Sequence, residues 1–200
     1  KWWDVEITGF TNHAGTTPMN DRKDALIAAS KFVLAVNEIV TGIEGAQVGT
    51  VGRIQAFPGA PNVIPGKVVT SLEIRDLDVE KIQRIYSLIE QRANEIGDET
   101  QTNFKFLPID ATAEPALTNP RIQNVIRKNA SALGYSHQTM PSGAGHDAQD
   151  MAVFTPTGMI FVPSVNGISH APDEYSTPEA IAKGANVLLL SILELDQLRF

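Results

Sequence analysis

Three of the four histidines of this chain lie in segments rich in glycine, serine and asparagine. They are His13 within 11–19, His146 within 142–147 and His170 within 166–172. Small residues let the backbone approach a ligand closely, and neighbouring N–H groups can hold an anion. A turn with a solvated imidazole explains each segment equally well by itself, because loops carry many polar residues without function. The fourth histidine, His137, has no such setting, and we expect it at the surface.

The run Ser142-Gly143-Ala144-Gly145 before His146 favours a binding loop more strongly than the other two segments do. Loops at strand ends of α/β folds are common ligand sites. Neutral imidazole and carboxylate suit zinc or manganese, which makes His146, Asp147 and His170 candidate ligands. A catalytic metal normally takes three protein ligands, and the adjacent side chains of His146 and Asp147 diverge on a regular element. The spacing therefore supports one metal ligand rather than a complete set.

Asn62 and Arg75 form a second pair of candidates, with the chemistry to hold a polar substrate. Arg75 follows an apolar strand pattern and can bind a carboxylate through two parallel hydrogen bonds. Asn62 lies in a turn bounded by prolines and offers both a donor and an acceptor. The alternative is that Arg75 pairs at the surface with Asp76 or Asp78. No Gly-x-Gly-x-x-Gly motif lies between a strand and a helix, so a nucleotide site has little support.

The composition excludes several kinds of partner and site. Among 200 residues, 16 Lys and Arg stand against 23 Asp and Glu, a net charge of -7 that repels phosphate groups. We therefore expect no nucleic acid and no membrane partner. The absence of cysteine excludes disulfides and thiolate metal sites. No apolar run is longer than five residues, far shorter than the ~20 residues of a membrane span, and no signal peptide is visible. We expect a cytoplasmic protein.

The first part of the chain alternates strand and helix patterns in the order strand, helix, strand, strand, helix, strand. The predicted strands are 3–7, 47–56, 67–75 and a segment around Phe104 and Phe106, and the predicted helices are 26–40 and 82–96. The predicted N-caps are Asn20 or Asp21 and Asp78, and the predicted terminating glycines are Gly42 or Gly45 and Gly97. This order is the split βαβ arrangement of ferredoxin-like domains.

The pattern changes within 110–118, and we place a domain boundary near residue 114. Asn119 with Pro120 begins a third helix, and 159–162 is typical of a short buried strand in an α/β sheet. A last helix is expected from 176–179, where a capping box and a proline coincide. Its expected apolar stripe is Ile181, Ala185, Leu188, Ile192 and Leu195. This part has too few strands to close a sheet, and the chain opens without a Met, so we expect a piece of a longer protein.

Four motifs, taken in order, resemble the M20 metallopeptidase superfamily. They are His-Ala-Gly-Thr-Thr-Pro-Met at 13–19 with Arg22 and Asp24-Ala25, Gly-Ala-Pro-Asn-Val-Ile-Pro-Gly at 59–66, Ser-Gly-Ala-Gly-His-Asp-Ala at 142–148, and Gly-Ile-Ser-His at 167–170. Within that superfamily they are similar to the hydantoinase/carbamoylase branch, which includes N-carbamoyl-L-amino-acid hydrolases, β-ureidopropionases and allantoate amidohydrolases. The resemblance covers the whole chain, which matches the C-terminal half of such an enzyme.

The resemblance implies an α+β fold in two parts. Residues 1–114 match a ferredoxin-like βαββαβ lid, which is the dimerisation domain of the family. Residues 115–200 match the C-terminal part of a zinc-peptidase-like α/β catalytic domain. Because the lids pair in the family, we expect a homodimer.

The resemblance also implies roles for the lid residues. His13 matches a catalytic histidine that reaches the site of the partner subunit and polarises the scissile carbonyl. Asn62 and Arg75 match residues that hold the ureido and carboxylate groups of the substrate.

In the second part, Gly143, Gly145 and His146 match a substrate-binding loop, and His170 matches the last metal ligand. The intact enzymes carry two divalent ions, zinc or else manganese, cobalt or nickel, which activate the attacking water. The family's His-x-Asp motif, bridging Asp and Glu-Glu pair have no counterpart in this chain. We therefore expect the chain alone to bind no metal tightly and to be inactive.

The implied activity is hydrolysis of the carbamoyl or ureido C–N bond of a small-molecule substrate, an N-carbamoyl amino acid or allantoate. The segment Gly59-Ala60-Pro61-Asn62 favours the carbamoylases, whereas Gln149 favours the allantoate amidohydrolases, and both stay open. The alternative is a non-catalytic dimerisation or small-ligand-binding module, because a ferredoxin-like fold does not by itself determine function.

Overall fold

The computed structural model describes residues 1–109 and 115–198. The chain divides into two compact units, Lys1–Pro115 and Ala116–Phe200. The boundary predicted near residue 114 lies outside the described residues. Within the described ranges, no helix has the length and apolar character needed to cross a membrane.

The first unit is built on an antiparallel sheet. Its strands are β1 (Trp2–Thr8), β3 (Val48–Thr50), β4 (Ile54–Phe57), β6 (Lys67–Arg75) and β7 (Asn103–Pro108). A separate two-stranded antiparallel sheet pairs β2 (Asn12–His13) with β5 (Val63–Ile64), which are distant in the sequence. The sheet order is β3-β6-β1-β7, and β4 pairs with the same strand β6. Helices α1 (Ala25–Thr41) and α2 (Val79–Thr100) pack on each other and on the sheet. The mixed helix-and-sheet prediction is confirmed for this unit.

Alternating burial explains the two central strands. In β1, Trp3, Val5 and Ile7 are buried while the residues between them are more exposed, as the period-2 pattern predicts. In β6, Val68 and Leu72 belong to the same alternating buried set. These side chains pack into one core with α1 and α2. Each such apolar side chain contributes about 1.5–3 kcal/mol on full burial, so the register of these strands is strongly specified.

The strand predicted over 47–56 is two strands separated by a bulge. Thr50 pairs with Glu73 and Ile54 pairs with Thr70, so the three residues 51–53 face the two residues 71–72. The carbonyl of Arg53 accepts hydrogen bonds from the Ser71 N–H at 3.2 Å and from the Thr70 hydroxyl at 2.7 Å. Such an extra residue bends a strand and raises its twist locally.

Two helix boundaries differ from the predictions. The N-cap of α1 is Asp24, whose carboxylate accepts from the Leu26 and Ile27 N–H groups, and not Asn20 or Asp21. The latter two lie in a 3-10 turn, Met19–Asp21, before the helix. Gly42 is the C-cap, as one of the two predicted alternatives.

Helix α2 begins after its predicted cap Asp78 but continues past Gly97 to Thr100. Gly97 is buried, and a Cβ at this position would lie 2.8 Å from the carbonyl oxygen of Thr102. The glycine therefore permits close packing of the following strand connection, and it does not end the helix.

The second unit contains three α-helices within the described residues. They are α3 (Pro120–Ala132), α4 (Ala148–Ala152) and α5 (Pro178–Leu195). Helix α3 begins as predicted, with the Asn119 side chain as its cap and Pro120 in its first turn. Helix α5 is capped by Thr177, one residue later than a Ser176–Glu179 capping box requires. The carboxylate of Glu179 instead pairs with Lys183 at 2.6 Å.

Two predictions for this unit are wrong. Segment 159–162 is not a strand, and none of the described residues of this unit forms a β-ladder. A strand requires hydrogen bonds to a neighbour, and an apolar run cannot supply these by itself. The expected stripe of α5 is also not buried, because Leu188 and Ile192 are exposed whereas Val187 and Ser191 are buried.

Candidate functional site

His13 and Asn62 lie at the same tip of the first unit. His13 pairs with Val63 in the β2–β5 sheet, and the Ala14 N–H donates to the Asn62 carbonyl at 3.0 Å. Gly66, after β5, lets the two paired segments approach closely, because a Cβ there would lie 2.7 Å from the backbone nitrogen of Thr11, just before β2. The pairing of β2 with β5 thus brings together two of the predicted site residues.

A backbone hydrogen bond determines the tautomer of His13. The Gly15 N–H donates to Nδ1 of His13 at 3.0 Å. Because Nδ1 accepts this bond, the neutral ring carries its proton on Nε2. A Cβ on Gly15 would lie 3.2 Å from Cε1 of the ring, so the small residue allows this close approach. The exposed imidazole therefore offers a hydrogen-bond donor to a ligand.

Arg75 lies far from this tip. Arg75 ends β6, whereas the β2–β5 sheet lies beyond Lys67 at the other end of the strand. Eight residue steps at ~3.3 Å each separate the two ends by about 26 Å. The structure therefore brings Asn62 to His13 but does not bring Asn62 and Arg75 of one chain to a common small ligand.

The partner of Arg75 also differs from the surface alternative. Its Nε donates to Oε1 of Glu73 at 2.8 Å, and its guanidinium lies 6.0 Å from the ring centroid of Trp2. Asp76 pairs with Lys81 at 3.2 Å, and the Asp78 side chain caps α2. Trp2 and Glu73 both line a cavity of about 340 Å³. Arg75 thus contacts two residues of the cavity lining but is not itself among the lining residues.

In the second unit, hydrogen bonds order the loop that carries His146. Nε2 of His146 lies 2.8 Å from the Ser142 hydroxyl, and the His146 N–H donates to Oε1 of Gln149 at 3.2 Å. The ring packs on Phe161 with centroids 5.4 Å apart. These contacts orient the imidazole and leave its Nδ1 side for other partners.

Neither the backbone conformation nor the packing of this chain requires glycine at positions 143 and 145. Neither has a positive φ. A Cβ on Gly143 would meet nothing within 4 Å, and one on Gly145 would meet only the Gln149 side-chain oxygen at 3.5 Å. The open space beside both glycines is what close approach of a ligand to a backbone needs.

His170 adopts a left-handed backbone conformation, with φ of 58°. Its N–H donates to Oε2 of Glu174 at 2.7 Å, and its Nδ1 lies 2.8 Å from the Ser169 hydroxyl. Such a conformation is unusual for a residue with a side chain and is often found at functional sites. His137 is exposed, as expected.

The described residues contain no cluster of three or more His, Asp or Glu side chains able to hold a metal ion. His146, Asp147 and His170 therefore do not form a metal site by themselves. Since a catalytic metal needs about three protein ligands, the described side chains do not fit a two-ion centre.

Several contacts at these sites were not predicted. Arg22 binds the carbonyls of the His13 loop, Glu73 holds Arg75, and Ser142 holds His146. Arg22 and Ser142 belong to the motifs quoted above. Their place in those motifs indicated that they matter to the site, but the sequence did not show what they bind. Glu73 lies two residues before Arg75, on the same face of a strand, and this spacing is the signal that was missed.

Comparison with known proteins gives the same family for nearly the whole chain. The sequence pattern of peptidase family M20/M25/M40 matches residues 9–194. An N-carbamoyl-L-amino acid amidohydrolase of Geobacillus stearothermophilus is 37% identical over 98% of this chain and 47% of its own length. A ureidoglycolate hydrolase of Arabidopsis thaliana is 38% identical over 96% of this chain and 40% of its own length. The chain thus spans about half the length of the curated relatives it matches.

A solved structure agrees in fold as well as in sequence. The crystal structure of an amidase of the hydantoinase/carbamoylase family from Burkholderia multivorans superposes with a TM-score of 0.89 at 37% identity. The match covers 96% of this chain and 47% of that chain. With a family pattern and a fold that both extend over almost all of its residues, this chain belongs to peptidase family M20/M25/M40.

Proposed function

We propose that this chain is part of a metal-dependent amidohydrolase that cleaves the C–N bond of a carbamoyl or ureido group on a small carboxylate-bearing substrate. The observation that carries this proposal is the hydrogen bond from Gly15 to Nδ1 of His13, which makes the ring a donor through Nε2. The names of the relatives support the substrate class, since both act on ureido or N-carbamoyl compounds.

The first unit is proposed to be a ferredoxin-like lid, residues 1–114. The strand and helix order supports this proposal: with β3 and β4 taken together as one strand, the neighbour order is fourth, first, third, second. Residues 115–200 are proposed to be the C-terminal segment of an α/β catalytic domain. The exposed apolar residues of α5 are consistent with a helix that belongs to a larger core.

His170 is proposed as one ligand of a two-ion centre whose other ligands lie outside this chain. Bound divalent ions would supply an activated water. The open positions beside Gly143 and Gly145, with the oriented ring of His146, are proposed to receive the substrate backbone.

His13 is proposed to donate from Nε2 to the oxygen that becomes negative during hydrolysis. One well-placed donor of this kind contributes about 3–4 kcal/mol to transition-state stabilisation. Asn62 is proposed to bind the ureido group beside it, and Arg75 to bind the carboxylate. The lid would also exclude water from the closed site.

The separation of about 26 Å along β6 is far larger than a small amino-acid derivative. His13 and Arg75 of one lid therefore do not contact the same substrate molecule. If both act in hydrolysis, each site takes them from different subunits of a homodimer, with Arg75 from one subunit and His13 with Asn62 from its partner.

Mixed dimers of the full-length protein test this arrangement. His13→Ala and Arg75→Ala subunits, inactive separately, should recover about a quarter of wild-type activity when mixed, because half of the dimers then have one intact site. Absence of recovery, with mixed dimers verified by affinity tags, would contradict the two-subunit site.

The substrate class is tested with a panel of N-carbamoyl-L-amino acids, ureidoglycolate, β-ureidopropionate and allantoate. Ammonia release from the full-length protein with added Zn, Mn, Co or Ni should identify at least one of them as a substrate. If none is hydrolysed while a ureido acid still binds, the non-catalytic ligand-binding module is the better description.

A further inference from the structure

We infer that Arg22 is a positioning residue that holds His13 in the orientation and tautomer required for hydrolysis. This inference rests on the proposed function, because His13 matters for catalysis only if the protein is a hydrolase. Arg22 belongs to the first sequence motif but has no role in the proposed chemistry so far.

The guanidinium of Arg22 binds both ends of the turn that follows His13. Nη2 donates to the Ala14 carbonyl at 2.7 Å and to the Thr17 carbonyl at 2.9 Å. Nε donates to the same Thr17 carbonyl at 3.1 Å. The planar guanidinium spans the two carbonyls with donors in fixed directions, a geometry that a lysine ammonium does not reproduce.

Hydrogen bonds connect the turn that Arg22 holds to His13. The Thr17 hydroxyl donates to the His13 carbonyl at 2.7 Å, and the Thr17 N–H donates to it at 3.2 Å. Between these points lies Gly15, whose N–H donates to Nδ1 of the ring. Arg22 is half-buried, whereas His13, Gly15 and Thr16 are exposed, so it anchors an otherwise exposed turn.

The loss of this anchor has a specific chemical consequence. When the carbonyls of Ala14 and Thr17 are released, the turn gains conformational freedom and the Gly15 N–H no longer stays on Nδ1. The neutral ring then divides between its two tautomers, and a smaller fraction carries the donor on Nε2. Since the donor acts on charge that develops in the transition state, the loss falls on kcat more than on KM.

Nuclear magnetic resonance of this chain tests the positioning role without reference to activity. At about pH 9, where imidazole rings are neutral, the nitrogen shifts of His13 should report mainly the Nε2–H tautomer in the wild type. Arg22→Gln should move them toward a mixture of tautomers, and Arg22→Lys should lie between the two. The matched control is Arg84→Gln on the exposed face of α2, which should leave the His13 spectrum unchanged.

Kinetics of the full-length protein test the consequence. Arg22→Gln should lower kcat at least about tenfold with a much smaller change in KM. Arg22→Gln combined with His13→Ala should be no slower than His13→Ala alone, because the arginine acts only through the histidine. Thr17→Val, which removes only one hydroxyl from the same turn, serves if Arg22→Gln does not fold, and it should shift the tautomers in the same direction.

Each negative result has a distinct meaning. Unchanged His13 tautomers in folded Arg22→Gln, or in folded Thr17→Val where Arg22→Gln does not fold, would overturn the positioning role. Equal losses of kcat from Arg22→Gln with and without His13 would also overturn it. If the wild-type protein hydrolyses nothing, the proposed function fails, whereas the tautomer measurement still decides whether Arg22 orients His13.

Discussion

At the scale of single residues, the Gly15–His13 hydrogen bond limits what the imidazole can do. A ring whose Nδ1 accepts a backbone N–H cannot take a proton there without losing that bond. The arrangement suits a neutral donor of hydrogen bonds rather than a base that gains and loses protons in each turnover. In the proposed hydrolysis, the proton acceptor for the attacking water would therefore be another residue.

Arg75→Lys tests the carboxylate contact. The lysine keeps the charge but loses the planar pair of donors, so kcat/KM of the full-length protein should fall well over tenfold on a carboxylate-bearing substrate. Steady-state kinetics with the substrate and its amide measure this effect. Unchanged kcat/KM on the carboxylate substrate would exclude Arg75 from the site.

Glu73→Gln tests the same contact from the side of its carboxylate partner. It removes the carboxylate that now binds Arg75, so a substrate carboxylate competes with one anion fewer. We expect a lower KM with little change in kcat. An increased KM would mean that Glu73 mainly holds Arg75 in its binding orientation.

At the scale of elements, the cap of α1 determines where the helix begins after the His13 loop. Asp24→Ala removes an acceptor for the Leu26 N–H at 2.8 Å and the Ile27 N–H at 3.2 Å. The free energy of unfolding should fall by about 1 kcal/mol, measured by urea denaturation. Asp98→Ala, near the C-terminal end of α2, is the control and should not destabilise, since a negative charge is unfavourable there. Equal effects of both variants would contradict the capping assignment.

The ion pair between Lys31 on α1 and Glu99 on α2 should make the free energy of unfolding depend on pH in the acid range. Hydrogen bonds from Lys31 and Arg92 lower the pKa of Glu99 to about 2. Because the folded pKa lies below the value of 4.5 for a free glutamate, the stabilisation is complete above that value and is lost as the pH falls toward 2. The urea midpoint of Glu99→Gln should therefore change less between pH 4.5 and 2 than that of the wild type.

Glu38→Gln removes an exposed carboxylate from α1 and leaves the Lys31–Glu99 and Arg92–Glu99 pairs in place. Its urea midpoint should follow the wild-type pH dependence. If Glu99→Gln showed the same acid dependence as this control, the ion pairs would not contribute to stability in acid.

At the scale of the whole molecule, we expect a dimer formed through the first unit. Exposed apolar side chains lie on α1, at Ile27 and Leu34, and on β4, at Ile54 and Phe57. A stable interface buries about 1,200–2,000 Å² and has an apolar centre. Leu34→Glu should therefore shift the chain toward monomer in sedimentation at micromolar concentration, and Leu88→Glu on α2 should not. A wild-type chain that sediments only as monomer would contradict this expectation.

The 200-residue chain by itself should not hydrolyse ureido substrates. His170 is its one proposed metal ligand, and a single neutral imidazole binds divalent ions weakly. Ammonia release from N-carbamoyl amino acids and allantoate, with added Zn, Mn or Co, should equal that of a boiled control. Metal-dependent turnover above the control would mean that residues of this chain complete the site.

The sequence alone was sufficient for features that depend on neighbouring residues. The alternating burial of β1 and β6, the caps Asp78 and Asn119, and the helices of the first unit were all predictable. Strand periodicity and capping are local rules, because the backbone groups they satisfy lie within a few residues. The motifs of the histidine loops identified the family for a related reason. Their residues and their order can be read from the sequence without knowledge of the folded structure.

Only the tertiary structure decided which of those residues meet. Asn62 lies shortly before β6 in the sequence, and Arg75 is the last residue of β6. The extended strand between them nevertheless places the two residues near its opposite ends. The long-range pairing of β2 with β5 brings Asn62 to His13 instead. Segment 159–162 likewise has the composition of a buried strand, but a strand exists only where another chain segment supplies its hydrogen bonds. The distance between two residues in a fold depends on which strands pair and in which register. The spacing of residues along the chain does not specify either of these.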